Sequence, residues 1–145
     1  VLRWSLDTHP RVSIVIPSRH NRPMLERLLP TLESTTYPDF DVLIVDNSGR
    51  TDDKEQWYDE HRGRLDLRVM WWTESPFNFS AVNNAGAAAT TGEVLVFLND
   101  DTEATDPRWL DDLVGWATRP GVGVVGASAG RMSCGWSVMA PPRSG

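Results

Sequence analysis

The first glycine of this chain is Gly49, and that lateness excludes more than it seems to. Pro17-Ser18-Arg19-His20-Asn21-Arg22 follows the first apolar run, where a dinucleotide-binding chain carries G-x-G-x-x-G. Without those glycines a pyrophosphate cannot approach the backbone amides closely. No G-x-x-x-x-G-K occurs, which removes a P-loop. The acidic pair that a receiver-type phosphorylation domain places after its first strand is also missing. No apolar run is long enough for a membrane span, and no basic, apolar leader is present. The net charge of -6 argues against nucleic acid as the main partner, since phosphate-backbone binding needs a basic face. It leaves a nucleotide open, because a local cation can neutralise it. The single cysteine, Cys134, cannot form an internal disulfide and fits a reducing, cytoplasmic compartment. The three histidines, His9, His20 and His61, show no metal-ligand spacing. No carboxylate side chain follows Asp112.

What is present is a regular alternation. Val12–Ile16, Val42–Val45, Leu67–Trp72, Val94–Leu98 and Val122–Val125 are short β-rich apolar runs. Between them lie stretches with helical spacing, such as Leu25, Leu28, Leu29 and Leu32. The order predicts an α/β domain with a mostly parallel sheet flanked by helices on both sides. Asn21 is expected to cap the first helix and Pro30 to kink it or end it early. Asp52 or Asp53 is expected to cap the second. Ser80–Thr90 reads as the third helix, closed by Gly92, and Asp106-Pro107 as the start of the fourth. Residues 1–11 read as a lead-in and 12–127 as one nucleotide-binding unit. Residues 128–145 read as an irregular tail of uncertain structure.

Three of the predicted strands end in polar clusters: Pro17-Ser18, Asp46-Asn47-Ser48 and Asn99-Asp100-Asp101. In open α/β sheets ligands bind outside the carboxyl ends of the strands. With a strand order of 3-2-1-4, the three clusters line one crevice. Ser18 then faces a base or phosphate, and Asp46 or Asn47 a base or ribose. The Asp100-Asp101 pair supplies hard oxygen ligands suited to Mg²⁺ or Mn²⁺ carrying a phosphorylated substrate. Each cluster alone is also good turn or cap chemistry; their ordered combination is more specific.

The stretches V-S-I-V-I-P-S-R-H-N (12–21), D-V-L-I-V-D-N-S-G-R-T-D (41–52), P-F-N-F-S-A-V-N-N-A-G (76–86) and G-E-V-L-V-F-L-N-D-D-T-E (92–103) resemble the family-2 glycosyltransferases. Bacterial cell-surface polysaccharide and rhamnosyl-type members are the nearest in likeness. The resemblance implies a GT-A (Rossmann-like) fold, truncated here after about the fifth strand. It implies transfer of a sugar, with inversion, from a UDP- or dTDP-linked donor to a glycan or lipid-linked acceptor. By position, Pro17 and Ser18 fall at the nucleotide-binding first loop. Asn47 stands where many members have a second aspartate facing the base, so Asp46 and Asn47 both remain candidates. Asp100 falls at the ribose contact and Asp101 at the metal ligand of a D-x-D-like motif, here N-D-D. Asn83 matches an asparagine near the donor site. Phe77, Asn78 and Phe79 are expected to pack. The family's general base belongs to an acceptor half beyond the fifth strand, so no residue of this chain is assigned as catalytic. The expectation is an incomplete fragment, peripheral to the membrane through parts it lacks. The alternative is a non-catalytic nucleotide-sugar-binding or assembly module. A nucleotidyltransferase ranks lower, because Pro17–Arg22 lacks that class's glycines.

Overall fold

The computed structural model describes residues 5–126 and 137–139. Among these the order is β1 (Val12–Ser18), α1 (Arg22–Glu33), β2 (Phe40–Asp46), α2 (Asp52–Arg62), β3 (Leu67–Trp71), α3 (Phe79–Ala88), β4 (Val94–Phe97), α4 (Trp109–Ala117), β5 (Val124–Val125) and β6 (Ser137–Met139). They form one sheet, ordered β3-β2-β1-β4-β6-β5. The first four strands are mutually parallel, in the expected 3-2-1-4 order. No helix of the described residues is long and apolar enough to cross a membrane.

The continuous apolar runs are explained by burial on both faces, as parallel strands require. Along β1, Val12, Ile14 and Ile16 join Leu25, Leu28, Leu29 and Leu32 of α1, Tyr58 of α2 and Leu110 and Val114 of α4 in the larger core. Val15 points the other way and packs with Leu43, Val45 and Val82. Thus α1, α2 and α4 cover one face, and α3 covers the other. Residue 86 must be glycine for α3 to lie this close. A Cβ there would sit 2.5 Å from Val15 Cγ1 and 3.1 Å from Val45 Cγ2.

Several details differ from the sequence reading. β5 is not a fifth parallel strand beside β4. It pairs antiparallel with β6, which separates it from β4 and falls inside the stretch expected to be irregular. Three residues carry too little periodicity to announce a strand; the partner edges supply it. Pro30 does not end α1 early; the helix runs through it to Glu33. It is exposed, so the helix forgoes one backbone bond without a clash against the core. Thr51, not Asp52 or Asp53, caps α2, its hydroxyl accepting from the Lys54 amide at 3.3 Å. Asn78 caps α3 in the same way at 3.0 Å. Gly92 does not close that helix, which ends at Ala88. Its amide donates to the Ser13 hydroxyl at 3.0 Å, and a Cβ there would meet the Ser13 backbone nitrogen at 2.5 Å. α4 begins at Trp109, after a turn in which Asp106 Oδ1 accepts from the Arg108 amide.

Candidate functional site at the carboxyl rim of the sheet

β2, β1 and β4 are neighbours, so their carboxyl ends bring the three polar clusters together, with adjacent strands about 4.8 Å apart. The ladder between β1 and β2 continues past the strands, the Asn47 amide donating to the Ser18 carbonyl at 3.0 Å. Across the other side of β1, the Ser18 hydroxyl donates to Asp100 Oδ2 at 2.9 Å. Burial pushes the Asp100 carboxyl above its usual range; the Ser18 hydroxyl opposes that shift, and the charge of Asp101 adds to it. The backbone turns tightly after β4, with the Thr102 amide donating to the Asn99 carbonyl at 3.2 Å, and this leaves Asp101 exposed at the rim.

Asp46 is placed differently from the expectation of a ligand contact. Its side chain has no exposed surface, and both oxygens are committed inside the fold. Oδ1 accepts from the Ser48 amide at 2.8 Å and the Ser48 hydroxyl at 2.6 Å, and Oδ2 accepts from the Tyr58 hydroxyl at 2.7 Å. Burial, and then the hydrogen bond to Asp46, raise the Tyr58 pKa and keep the phenol protonated as the donor. Lys54 Nζ donates to the Ser48 hydroxyl at 2.8 Å and the Gly49 carbonyl at 2.9 Å, closing the turn behind β2. Gly49 takes φ 86, the left-handed region where a glycine costs least.

His20 is a residue that spacing could not announce. It adopts φ 56, rare for a residue with a side chain. Its ring lies edge-on to Trp57 and Tyr58, at 5.2 and 5.1 Å between centroids. Nε2 accepts from Arg22 Nε at 2.9 Å, so the ring is neutral with its proton on Nδ1. Nδ1 lies 3.4 Å from Asp46 Oδ2 without a hydrogen bond between them. Burial lowers the His20 pKa, against the opposing pull of Asp46. The second loop is thus held by the Asp46 carboxylate, and the first is packed beside it through the His20 ring against Trp57 and Tyr58. Only proximity in the fold reveals this, since Tyr58 and His20 are far from Asp46 in sequence.

By strand alternation Pro17 and Asn47 continue the face that α3 covers. Here the polar groups are not closed off. The Asn47 Oδ1, Trp72 Nε1 and Asn83 Oδ1 atoms are buried and unpartnered. Asn83 is buried on α3, its Nδ2 donating to the Phe79 carbonyl at 3.0 Å. Phe77 and Phe79, expected to pack, are 51% and 54% exposed. The packing expectation fails because β3 has ended at Trp71 and no strand lies beneath them.

Among the described residues no three His, Cys, Asp or Glu side chains form a ready-made metal cage. The donor set at Asp100-Asp101 fits Mg²⁺ or Mn²⁺ held by one or two carboxylates plus substrate phosphate oxygens, which is how such ions are bound at phosphoryl sites. Cavities of about 400 Å³ beside β3 and about 520 Å³ under residues 5–10 lie away from this chemistry. Gly126-Ala127-Ser128-Ala129-Gly130 spells G-x-S-x-G. Ser128 is outside the described residues.

The O-antigen biosynthesis protein RfbC of Myxococcus xanthus is 41% identical over 130 residues, covering 86% of this chain and 10% of that protein. The glycosyltransferase AglE of Haloferax volcanii is 28% identical over 124 residues, covering 84% of this chain and 40% of its own length. This chain therefore spans less than half of each of these curated relatives. A mannosyltransferase from Pyrobaculum calidifontis, solved in complex with GDP-Man and Mn²⁺, superposes with a TM-score of 0.73 at 26% identity. The match covers 86% of this chain and 37% of that one. The model of glycosyl transferase family 2 matches residues 13–144. With that match over nearly its whole length, and a GT-A sheet bearing these clusters at its rim, the chain belongs to glycosyl transferase family 2.

Proposed function

We propose that this chain holds the nucleoside diphosphate sugar for an inverting, metal-dependent sugar transfer to an acceptor hydroxyl. The observation that carries the reading is the Ser18–Asp100 hydrogen bond of 2.9 Å, which ties the ends of β1 and β4 together beside the exposed Asp101. Asp101 holds Mg²⁺ or Mn²⁺, Asp100 and Ser18 meet the ribose, Pro17 shapes the first loop, and Asn47 meets the base. Asp46 serves by fixing the second loop from inside. When held there, such a cation would supply charge stabilisation to the departing diphosphate. The acceptor hydroxyl attacks the anomeric carbon from the opposite side, and the diphosphate leaves as that bond forms, which inverts the configuration. The hydroxyl's proton goes to a general base outside the assigned rim residues.

The donor we favour is UDP- or dTDP-linked and the acceptor a glycan or lipid-linked saccharide of envelope polysaccharide synthesis. The work is cytoplasmic, at the membrane surface through other parts of the protein. The Pyrobaculum mannosyltransferase, solved with GDP-Man and Mn²⁺, supports the sugar-nucleotide reading, and the O-antigen biosynthesis protein RfbC supports the polysaccharide one. Calorimetric titration with UDP, dTDP and GDP, with and without Mn²⁺, tests the reading. Metal-dependent binding of at least one nucleotide, lost in Asp101→Ala, is the expected result. Silence towards all three rejects it and favours a module that only mediates assembly.

A further inference from the structure

We infer that Phe79 is the stacking wall for the nucleobase of the donor, an assignment that rests on the donor-binding reading above. The buried stripe of α3 consists of Val82, Asn83 and Gly86. Phe79 lies three and four residues before Val82 and Asn83, so it belongs to that same sheet-facing stripe. Gly86 sits directly over Val15 and Val45. Seven residues of helix carry Phe79 about 10 Å back along the axis. Pro17 and Asn47 lie only about 7 Å beyond Val15 and Val45 along their strands. Phe79 thus overhangs the ends of β1 and β2. A sheet-facing phenyl would ordinarily be covered, yet Phe79 is 54% exposed because the sheet stops below it.

The polar groups around that overhang point to a flat, heteroatom-edged ligand. Asn47 Oδ1, Asn83 Oδ1 and Trp72 Nε1 are buried without partners on this side of the rim. A base offers a π-face to a phenyl ring and donors and acceptors along its edge to carboxamides and an indole N–H. The first loop has no ring to offer instead, because the His20 side chain is only 7% exposed and sits between Trp57 and Tyr58. Of the other large exposed apolar side chains of the described residues, Phe77 precedes α3 and so stands outside its sheet-facing stripe, while Trp116 and Val124 belong to α4 and β5.

The experiment titrates native protein and three variants, Phe79→Ala, Phe79→Leu and Phe79→Trp, with UDP, dTDP and GDP in the presence of Mn²⁺, and records each melting temperature. The expected result is an approximately tenfold weaker affinity for the preferred nucleotide in both the Ala and Leu variants. Phe79→Trp keeps native affinity or better, and all melting temperatures stay close together, since the side chain is half exposed. Native-like affinity in Phe79→Leu or Phe79→Ala overturns the stacking role while leaving the donor reading intact. Failure of the native protein to bind any nucleotide overturns the donor reading itself, and the stacking role with it.

Discussion

The two faces of the sheet arrive at the carboxyl rim in opposite condition. On the side covered by α1, α2 and α4, hydrogen bonds of 2.6–2.9 Å join Asp46, Ser48, Tyr58 and Lys54 in one network and Ser18 to Asp100 beside it. On the side covered by α3, buried polar atoms of Asn47, Trp72 and Asn83 lack partners and Phe79 lacks a floor. An unsatisfied buried polar group costs about 1–3 kcal/mol, and native folds retain few of them without a reason. The difference teaches a division of labour. One side is a largely bonded frame that fixes where the loops stand, with His20 Nδ1 buried there without a partner. The other is unfinished, and a ligand completes it.

The sharpest way to break this contrast is to open the frame. Asp46→Ala leaves the fully buried Tyr58 hydroxyl and the half-buried Ser48 hydroxyl and amide without their acceptor. Urea unfolding is expected to show a loss of about 3–4 kcal/mol. A loss below about 1 kcal/mol means that the network relaxes freely and frames nothing.

That frame was half legible in the sequence. The apolar runs gave the strands because burial on both faces leaves no room for alternation, and the polar residues ending them marked the rim. The order 3-2-1-4 made Ser18, Asp46 and Asp100 neighbours before any coordinates. What sequence could not give was direction. Asp46 and Asn47 are adjacent, and only the pleat decides that one turns into the α2 side and the other towards α3. Periodicity likewise placed Phe79 near a helix start, but not past the end of the sheet. β6 stayed hidden because a three-residue strand is specified by the edges of β4 and β5 and not by its own composition.

A smaller effect comes from His20, which joins the first loop to the frame. Its folded pKa is depressed by burial below the ordinary 6.5. In the window between the two values the unfolded chain binds the proton and the folded chain does not. The contribution of a neutral His20 is therefore complete above about pH 6.5 and is lost as pH falls towards the depressed folded value. The groups facing the ring are Asp46, Arg22 and Lys54, with Trp57 and Tyr58 edge-on. His20→Asn keeps a residue tolerant of positive φ. It is expected to cost about 1–2 kcal/mol at pH 8 through lost ring contacts and to flatten the fall in stability between pH 6.5 and pH 5. Denaturant midpoints measured across that range check both parts. An unchanged acid limb places its origin in another group.

The smallest stability effect should come from the unfinished side, and its smallness is the point. Asn83→Ala removes a carboxamide whose oxygen has no partner and whose NH₂ reaches only the Phe79 carbonyl one turn back. Alanine is the better helix former by about 0.6 kcal/mol, and removing an unsatisfied oxygen offsets the hydrogen bond given up. The unfolding free energy is expected to stay within about 0.5 kcal/mol of native, although the residue is buried. Nucleotide affinity, in contrast, is expected to fall several-fold, because the carboxamide contributes fully only when a ligand supplies its partner. The pair of measurements separates the two sides of the rim. A loss above about 2 kcal/mol on Asn83→Ala makes the α3 side as much a frame as the α2 side and removes the asymmetry, whereas a near-neutral fold with weakened binding marks Asn83 as a position held for its ligand.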